Sequence, residues 1–474
     1  MSTPSAVSPP AAPLVSISWS EDGQARTARW RSERGAPAPK RVVLAHDTMS
    51  ADAAYRLACE GTGLLWRGDF QNARLLIQAL ARRIDKPVKV SKQAKNDRKK
   101  AAEAAAHGVP PGQAFHLHRQ AQAQRARVLG MVLIEFGADY TIDLRRAPDA
   151  KQACIEAWGN MTATLVASRA ASHLAGRSSP EASHLVPVPV CASRLGASGT
   201  SPEGALCLQP GEAGFAAPAG EEQAPSAAPM TSVASLRELL GVISAHEWRK
   251  KGVEFAVLGP PPTNRIHPHY GVFSPVRGEY VDLVANAPLP TPRPAKFVAF
   301  DIGTGTGILS AVLALRDVDQ IVATDCDPRA LVCARENLHR LRLTAPIKVM
   351  QADLFPEGVA SVIVCNPPWL PARPGSPLEG AVYDEGSRML MGFINGLAAH
   401  LAPHGEGWLI LSDFAEHLGL RTRVELLAAI RAAGLKVLGR IETKPEHPKA
   451  IDASDPLHEA RAAEVTSLWR LGAV

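Results

Sequence analysis

The sequence predicts an α/β fold: a doubly wound, mostly parallel sheet with an antiparallel last strand, preceded by a smaller, mainly helical N-terminal domain. The main observation is that short apolar segments alternate with amphipathic ones from Lys296 onward, the pattern of a parallel sheet covered on both faces. The chain also has 474 residues, and domains usually hold roughly 100–200. More than one domain is therefore expected.

Composition supports a folded protein. The chain is 46% hydrophobic and 21% charged, which excludes wholesale disorder. Its apolar runs all fall well short of the roughly 18 residues that a membrane helix needs, and the N-terminus lacks the basic region and apolar core of a secretory signal. We expect a soluble, cytoplasmic protein with no membrane partner.

The N-terminal part has three predicted regions. Residues 1–15 are rich in Ser, Pro and Ala and are predicted to be a disordered tail. Residues 16–167 are predicted to be a mainly helical accessory domain, with one helix after Ser50, another over residues 70–84 and a strand over residues 131–136. Residues 168–231 have few large apolar side chains and are predicted to be a low-complexity linker or insertion.

Positive charge is concentrated near the N-terminus. Residues 1–160 hold 24 Lys and Arg against 15 Asp and Glu, whereas the remaining residues hold 28 against 31. The excess is densest over residues 82–100, where nine bases meet two acids. This basic segment could follow a phosphate backbone or an acidic protein surface, or be a solvated helix face. Both interpretations stay open.

Residues 232–474 are predicted to be the catalytic domain. Ser235 and Glu238 have the spacing of a helix cap before an apolar run. Six parallel-sheet strands and four intervening helices follow. The predicted strands cover residues 296–302, 320–325, 347–350, 361–366, 407–412 and 435–441, and the helices residues 308–315, 328–341, 387–401 and 423–433. Residues 464–471 form the antiparallel last strand.

A glycine-rich turn follows the first of these strands. The residues Asp301-Ile302-Gly303-Thr304-Gly305-Thr306-Gly307 lead from strand to helix, and glycines there let a ligand lie against the backbone. The spacing is GxGxG rather than the dinucleotide GxGxxG, and no GK[ST] of a phosphate loop is present. The turn therefore favours a nucleoside ligand without a pyrophosphate.

Acids follow the next two strands. Asp325 ends the second strand, where a carboxylate can accept both hydrogen bonds of a ribose diol. Asp353 follows the third strand, where it or the adjacent backbone of Leu354 can contact an adenine amine. Open α/β sheets bind ligands at the carboxyl ends of their strands, so we expect these residues to share one cleft.

The fourth strand ends in Asn366-Pro367-Pro368-Trp369. The prolines fix the backbone direction, which aims the Asn366 amide and a neighbouring carbonyl at the cleft beside an aromatic ring. Two acceptors can take both N–H bonds of a planar nitrogen while Trp369 stacks on its face. The alternative is a purely structural turn.

Taken together, these motifs resemble those of class I S-adenosylmethionine-dependent methyltransferases. The resemblance is to the group acting on planar nitrogen, the N6-adenine and HemK-type glutamine methyltransferases, and it covers roughly residues 232–474. It implies S-adenosyl-L-methionine as cofactor and a Rossmann-like fold. The implied cofactor-binding residues are Asp301 near the methionyl amine, Phe273 in the segment that closes over that end, Gly303, Gly305, Gly307, Asp325, Asp353 and Leu354. The implied catalytic residues are Asn366, Pro367 and Trp369.

The predicted function is methyl transfer to a planar amine or amide nitrogen of a macromolecule. A nucleic-acid base or a ribosome-associated target is favoured, because the basic segment could bind phosphates. A protein glutamine of the release-factor kind is the alternative, and a non-catalytic nucleoside-binding module is a second one. No metal is predicted, since His116 and His118 have no third ligand at a suitable spacing.

Overall fold

The computed structural model describes residues 15–85, 111–159, 231–276, 278–446, 452 and 455–474. The predicted tail and linker lie outside the described residues apart from positions 15 and 231, as does the basic segment from residue 86 onward. The described residues form two large sheets with flanking helices and a small two-stranded ribbon. Among them, no helix has the length and apolar character needed to span a membrane.

The first sheet is six-stranded, in the order β1-β2-β6-β5-β4-β3. Its strands are β1 Ser16–Glu21, β2 Gln24–Trp30, β3 Arg41–Ala45, β4 Thr62–Trp66, β5 Val132–Phe136 and β6 Ser232–Ser235. Its helices are α1 Ala51–Cys59, α2 Phe70–Asp85, α3 Pro111–Leu129, α4 Lys151–Trp158 and α5 Leu236–Lys251. Strands β3, β4 and β5 are parallel to one another. Buried side chains of these helices share one apolar core with β4 and β5.

The N-terminal domain contains helices as predicted, but it also contains a sheet of which the sequence predicted a single strand. The helices after Ser50 and over residues 70–84 are present, and Ser50 caps α1 by accepting from the Ala53 N–H at 3.2 Å. They pack, however, on a six-stranded sheet. Its strands are short, and β6 joins between β2 and β5 from a remote part of the sequence. Local periodicity does not reveal pairings of this kind.

The predicted boundary at residue 232 also needs correction. Strand β6 belongs to the first sheet, and Leu236, Leu239 and Val242 of α5 are buried in that sheet's core. The predicted cap is half present: the Ser235 hydroxyl accepts from the Glu238 N–H at 3.0 Å, but the Glu238 carboxylate accepts from the Glu33 N–H instead of closing back on Ser235. Residues 232–251 therefore complete the N-terminal domain.

The second sheet is seven-stranded, in the order β11-β10-β9-β12-β13-β15-β14. Earlier in the sequence, β7 Val253–Glu254 and β8 Arg265–Ile266 form the two-stranded ribbon. The strands of the seven-stranded sheet are β9 Val298–Ile302, β10 Gln320–Asp325, β11 Ile347–Gln351, β12 Ala360–Cys365, β13 Leu401–Ser412, β14 Leu435–Thr443 and β15 Thr466–Ala473. Its helices are α6 Glu279–Asn286, α7 Ile308–Ala314, α8 Pro328–Leu341, α9 Arg388–His400, α10 Phe414–His417, α11 Arg423–Ala432 and α12 His458–Ala463.

This sheet confirms the predicted doubly wound fold. Strands β11, β10, β9, β12 and β13 are parallel, and β15 inserts antiparallel between β13 and β14. One apolar core covers each face. The strand order reverses between β9 and β12, the switch point beside which open α/β sheets bind ligands.

Candidate active site

A cavity of about 620 Å³ opens at the carboxyl ends of β9, β10 and β12. The structure brings most of the predicted site residues together on its wall. Those that line it are Phe273, Gly303, Gly305, Asp325, Asp353, Leu354, Asn366, Pro367 and Trp369. Asp301 and Gly307 lie behind this wall and are not among the lining residues.

Asp301 stabilises the glycine loop through hydrogen bonds. Its Oδ2 accepts from Thr304 Oγ1 at 2.7 Å, from the Ser310 N–H at 3.0 Å and from Ser310 Oγ at 2.6 Å. The side chain is buried, and burial raises the pKa of this carboxyl. Asp301 therefore fixes the shape of the glycine loop.

The three glycines of the loop have different roles. All have positive φ angles, 72° at Gly303, 55° at Gly305 and 83° at Gly307, which glycine adopts without strain. A Cβ on Gly307 would lie 3.3 Å from Ala334, so this glycine permits close packing against α8. A Cβ on Gly305 would meet no atom within 4 Å and the residue lines the cavity. Gly305 thus leaves room for a ligand.

Asp325 borders the cavity beside this glycine. Its Oδ2 accepts from the Gly305 N–H at 3.0 Å, and its Oδ1 accepts from the Asp327 N–H at 2.9 Å. Burial raises the pKa of this carboxyl, against the effect of these backbone hydrogen bonds. Each carboxylate oxygen can accept more than one bond, so Asp325 can still accept from a ligand diol.

Asp353 and Leu354 lie further along the same edge. The Asp353 carboxylate is exposed, and its Oδ2 accepts from Arg388 Nη2 at 2.7 Å. Leu354 has a φ of 76°, and its carbonyl accepts from Thr324 Oγ1 at 2.6 Å. The backbone after β11 is thereby tied to β10, which places both residues on the cavity wall.

Asn366 and Trp369 are joined in a way that the sequence did not predict. The Trp369 indole N–H donates to Asn366 Oδ1 at 2.9 Å. This bond orients both the amide and the ring, and it leaves the second lone pair of the amide oxygen for another donor. Trp369 is half-buried and packs against both faces' apolar cores.

Sequence reasoning missed the far wall of the cavity. Phe115 and His118 of α3, from the N-terminal domain, lie there with Tyr383 and with Leu457, Arg461 and Glu464 near the last strand. Phe115 and His118 stand in the short run FHLHR, which we considered only as a metal pair. No local signal marks the other positions, because loops far apart in the sequence bring them together.

Comparisons with known proteins place the cavity in a methyltransferase domain. Residues 263–427 match the family model of the methyltransferase small domain. A release factor glutamine methyltransferase of Moorella thermoacetica is 36% identical over 117 residues, 23% of this chain and 41% of that protein. A tRNA1(Val) (adenine(37)-N6)-methyltransferase of Pedobacter heparinus is 29% identical over 140 residues, 27% and 60%.

A third relative, a release factor glutamine methyltransferase of Cereibacter sphaeroides, is 30% identical over 176 residues, 34% of this chain and 58% of that protein. The chain therefore spans about half the length of these curated relatives. The matches confirm the predicted class I methyltransferase family for this domain.

Proposed function

We propose that this protein, whose residues 263–427 form a methyltransferase small domain, transfers a methyl group from S-adenosyl-L-methionine to a planar amine or amide nitrogen of a macromolecule. One observation carries the proposal: Asn366, Pro367 and Trp369 line the same cavity as Gly305 and Asp325. The proposed acceptor and cofactor groups thus line one cavity.

The cavity residues fit the cofactor. Gly305 leaves space against the backbone, Asp325 offers carboxylate oxygens for a ribose diol, and Leu354 and Phe273 supply apolar surface. When bound, S-adenosyl-L-methionine supplies an electrophilic methyl group. The chain's own task is to bind and orient the acceptor and to exclude water.

The acceptor nitrogen needs orientation more than a strong base. Asn366 Oδ1 and the Pro367 carbonyl would accept its two N–H bonds, which directs its lone pair at the methyl group. The N–CH3 bond would form as the methyl–sulfur bond breaks and S-adenosylhomocysteine leaves, and the nitrogen, cationic after transfer, would release one proton to solvent. Trp369 would lie against the planar group while its N–H holds Asn366 in place. Positioned acceptors of this kind contribute by electrostatic preorganisation.

The acceptor class is a nucleic-acid base or a ribosome-associated target, with a protein glutamine as the alternative. One matched relative is named for tRNA adenine and two for release factor glutamine, so the names support both. A nucleobase would have to be unpaired or flipped to enter the cavity. A non-catalytic module is disfavoured, because binding the nucleoside alone would not require Asn366.

The test separates cofactor binding from methyl transfer. Asn366→Ala should keep the Kd for S-adenosyl-L-methionine within about threefold, while transfer to a cell extract from labelled cofactor falls roughly 100- to 1,000-fold. Isothermal titration and label incorporation measure the two quantities. Equal loss of both would contradict the assignment of Asn366, and cofactor binding without transfer by the native protein would favour the non-catalytic module.

A further inference from the structure

Helix α3 connects the core of the N-terminal domain to the cavity of the second domain. Leu129, at its C-terminal end, is buried in the core of the first sheet. Phe115, in its first two turns, is buried in a cluster at the cavity. The two positions are 14 residues apart in the sequence, which corresponds to about 21 Å of helix at 1.5 Å per residue, and most of the intervening side chains are exposed. The helix is therefore anchored at both ends.

The cavity end of α3 packs on the chain that follows the acceptor motif. Phe115 is 2% exposed and clusters with Leu370, Phe414 and Leu457. Leu370 directly follows Trp369 in the sequence. The N-terminal domain thus supports the segment that carries Asn366 and Trp369, and it forms part of the space into which an acceptor would enter.

Arg119 of α3 contacts the loop that follows the acceptor motif. Its guanidinium lies 4.1 Å from the centroid of the Tyr383 ring, and its Nη2 donates to the Arg373 carbonyl at 2.8 Å. A guanidinium over an aromatic face is attractive by about 0.5–2 kcal/mol. His118, one position earlier, lines the cavity itself.

Of the three arginines of α3, Arg119 pairs with Glu379 at 3.6 Å and Arg125 with Asp85 at 2.9 Å, whereas Arg127 has no carboxylate partner among the described ion pairs. Residues 111–129 contain three Arg, two His and no Asp or Glu. His116, Gln120 and Arg127 are exposed, and their spacings of four and seven residues place them on one face. In the sequence, residues 86–110 directly before the helix add seven Lys and Arg against two acids. An exposed arginine such as Arg127 can contact a phosphate of a nucleic-acid backbone.

We propose that α3 is the acceptor-recognition helix of the enzyme and that the acceptor is a nucleic acid. Phe115 and His118 form the outer wall of the acceptor end of the cavity, where an unpaired base enters. The face that bears Arg127 contacts the phosphates of the adjoining strand. This inference rests on the proposed methyl transfer and adds the acceptor class and the element that selects it.

The first experiment identifies the acceptor. Extract from cells lacking the protein is incubated with the full chain and labelled S-adenosyl-L-methionine, then digested with nuclease or with protease. Label that survives protease and is released by nuclease supports the inference. Label released by protease alone overturns it and leaves the methyl transfer standing. Absence of label from every fraction means that the proposed function itself has failed.

The second experiment tests the wall with a matched pair on one helix. His118→Ala should raise the KM for the nucleic-acid fraction about tenfold, with the cofactor Kd unchanged within twofold. Leu117→Ala is the control, because Leu117 is 52% exposed and lies outside the cavity lining. Equal KM values for the two variants would overturn the role of α3 in acceptor recognition.

The third experiment tests the phosphate contact. Arg127→Gln should lower the slope of log KM against log salt by about one, the change expected for one lost phosphate contact. Lys250→Gln on α5 removes an exposed cation that pairs with Glu247 at 3.2 Å and should leave the slope unchanged. Thermal melting of both variants checks that they fold. An unchanged slope for Arg127→Gln in a folded protein would overturn the backbone contact.

Discussion

In both sheets of this protein, glycine and aspartate follow the carboxyl ends of parallel strands, and we call this end of each sheet its edge. The cavity described above lies at the edge of the second sheet. In the N-terminal sheet, β3, β4 and β5 run parallel, and Asp47, Gly68 and Asp69 follow two of them. In the second sheet, Gly305 and Asp325 follow β9 and β10. By residue type alone, both edges could be ligand sites at strand ends.

The first edge is filled by its own side chains. Asp47 accepts from the Asp69 N–H at 3.0 Å, and Asp69 accepts from Arg146 Nε at 2.6 Å. The Arg146 guanidinium lowers the pKa of the Asp69 carboxyl. A Cβ on Gly68 would lie 2.4 Å from Asp47 Oδ1, so that glycine lets the Asp47 side chain pack against the backbone.

The second edge is left open. A Cβ on Gly305 would meet nothing within 4 Å, and Asp325 hydrogen-bonds only to backbone N–H groups in the contacts described above. Burial raises the pKa of Asp325, which has no ion pair with the described residues, whereas the hydrogen-bonded Arg146 guanidinium lowers the pKa of Asp69. Glycine and aspartate at a strand end therefore indicate a site only where the chain does not itself fill the space.

Substitution of one aspartate at each edge is expected to give the largest difference between the two edges. Asp325→Asn should weaken cofactor affinity about 10- to 100-fold, since a hydrogen bond to a charged acceptor is worth roughly 1.5–3 kcal/mol. Asp47→Asn should leave that affinity unchanged and lower the melting temperature, because it removes an acceptor from a filled edge. Titration calorimetry and thermal melting measure the two effects. A cofactor Kd that changes equally in both variants would contradict the difference between the edges.

The raised pKa of Asp325 adds a pH dependence to this prediction. Only the ionised carboxylate accepts both diol hydroxyls well, and protonation occurs as pH falls through a pKa above the ordinary aspartate range. Cofactor affinity should therefore decline, as pH falls, at a higher pH than protonation of an ordinary aspartate would produce. Asp325→Asn should show little such decline, and a parallel decline in that variant would assign the titration to another group.

The glycines give the next largest effect. Gly305→Ala should weaken cofactor binding at least tenfold, about 1.4 kcal/mol, because the added methyl group occupies the ligand's space. Gly23→Ala is the matched control: Gly23 has a φ of 77° and also has nothing within 4 Å of a Cβ, but it lies in the turn between β1 and β2. Both variants should lose about 1 kcal/mol of stability from backbone strain. Only the first should lose cofactor affinity.

Substitution of a tryptophan in each domain is expected to give the smallest difference between the two edges. Trp369→Phe keeps an aromatic ring but loses the N–H that orients Asn366, so kcat should fall about three- to tenfold, in keeping with one modest hydrogen bond. In Trp66→Phe, the lost N–H donates to the Asp69 carbonyl at 2.9 Å inside the first sheet's core. That variant should change the melting temperature and leave kcat unchanged. Steady-state kinetics measures kcat for both variants. An unchanged kcat for Trp369→Phe would contradict a positioning role of the indole N–H.

The second domain was predictable because its information is local. Strands over residues 320–325 and 435–441 and a helix over residues 328–341 follow from apolar runs and caps within a short window, and the structure has them within two residues. The ligand edge also followed, because parallel strands deliver their carboxyl ends to one side. Chain direction alone placed Asp325 and Asn366 near each other.

What only the tertiary structure decided depends on contacts between remote residues. The sheet around β6 required pairing between residue 232 and residues near 29 and 136, and no window of sequence contains such a pair. Asp301 proved to hold the loop because Thr304 and Ser310 turn back onto it. Phe115 and His118 reached the cavity because both ends of α3 are anchored. Sequence patterns specify segments and the direction of strands, whereas the filling of an edge and the walls of a cavity depend on how those segments pack.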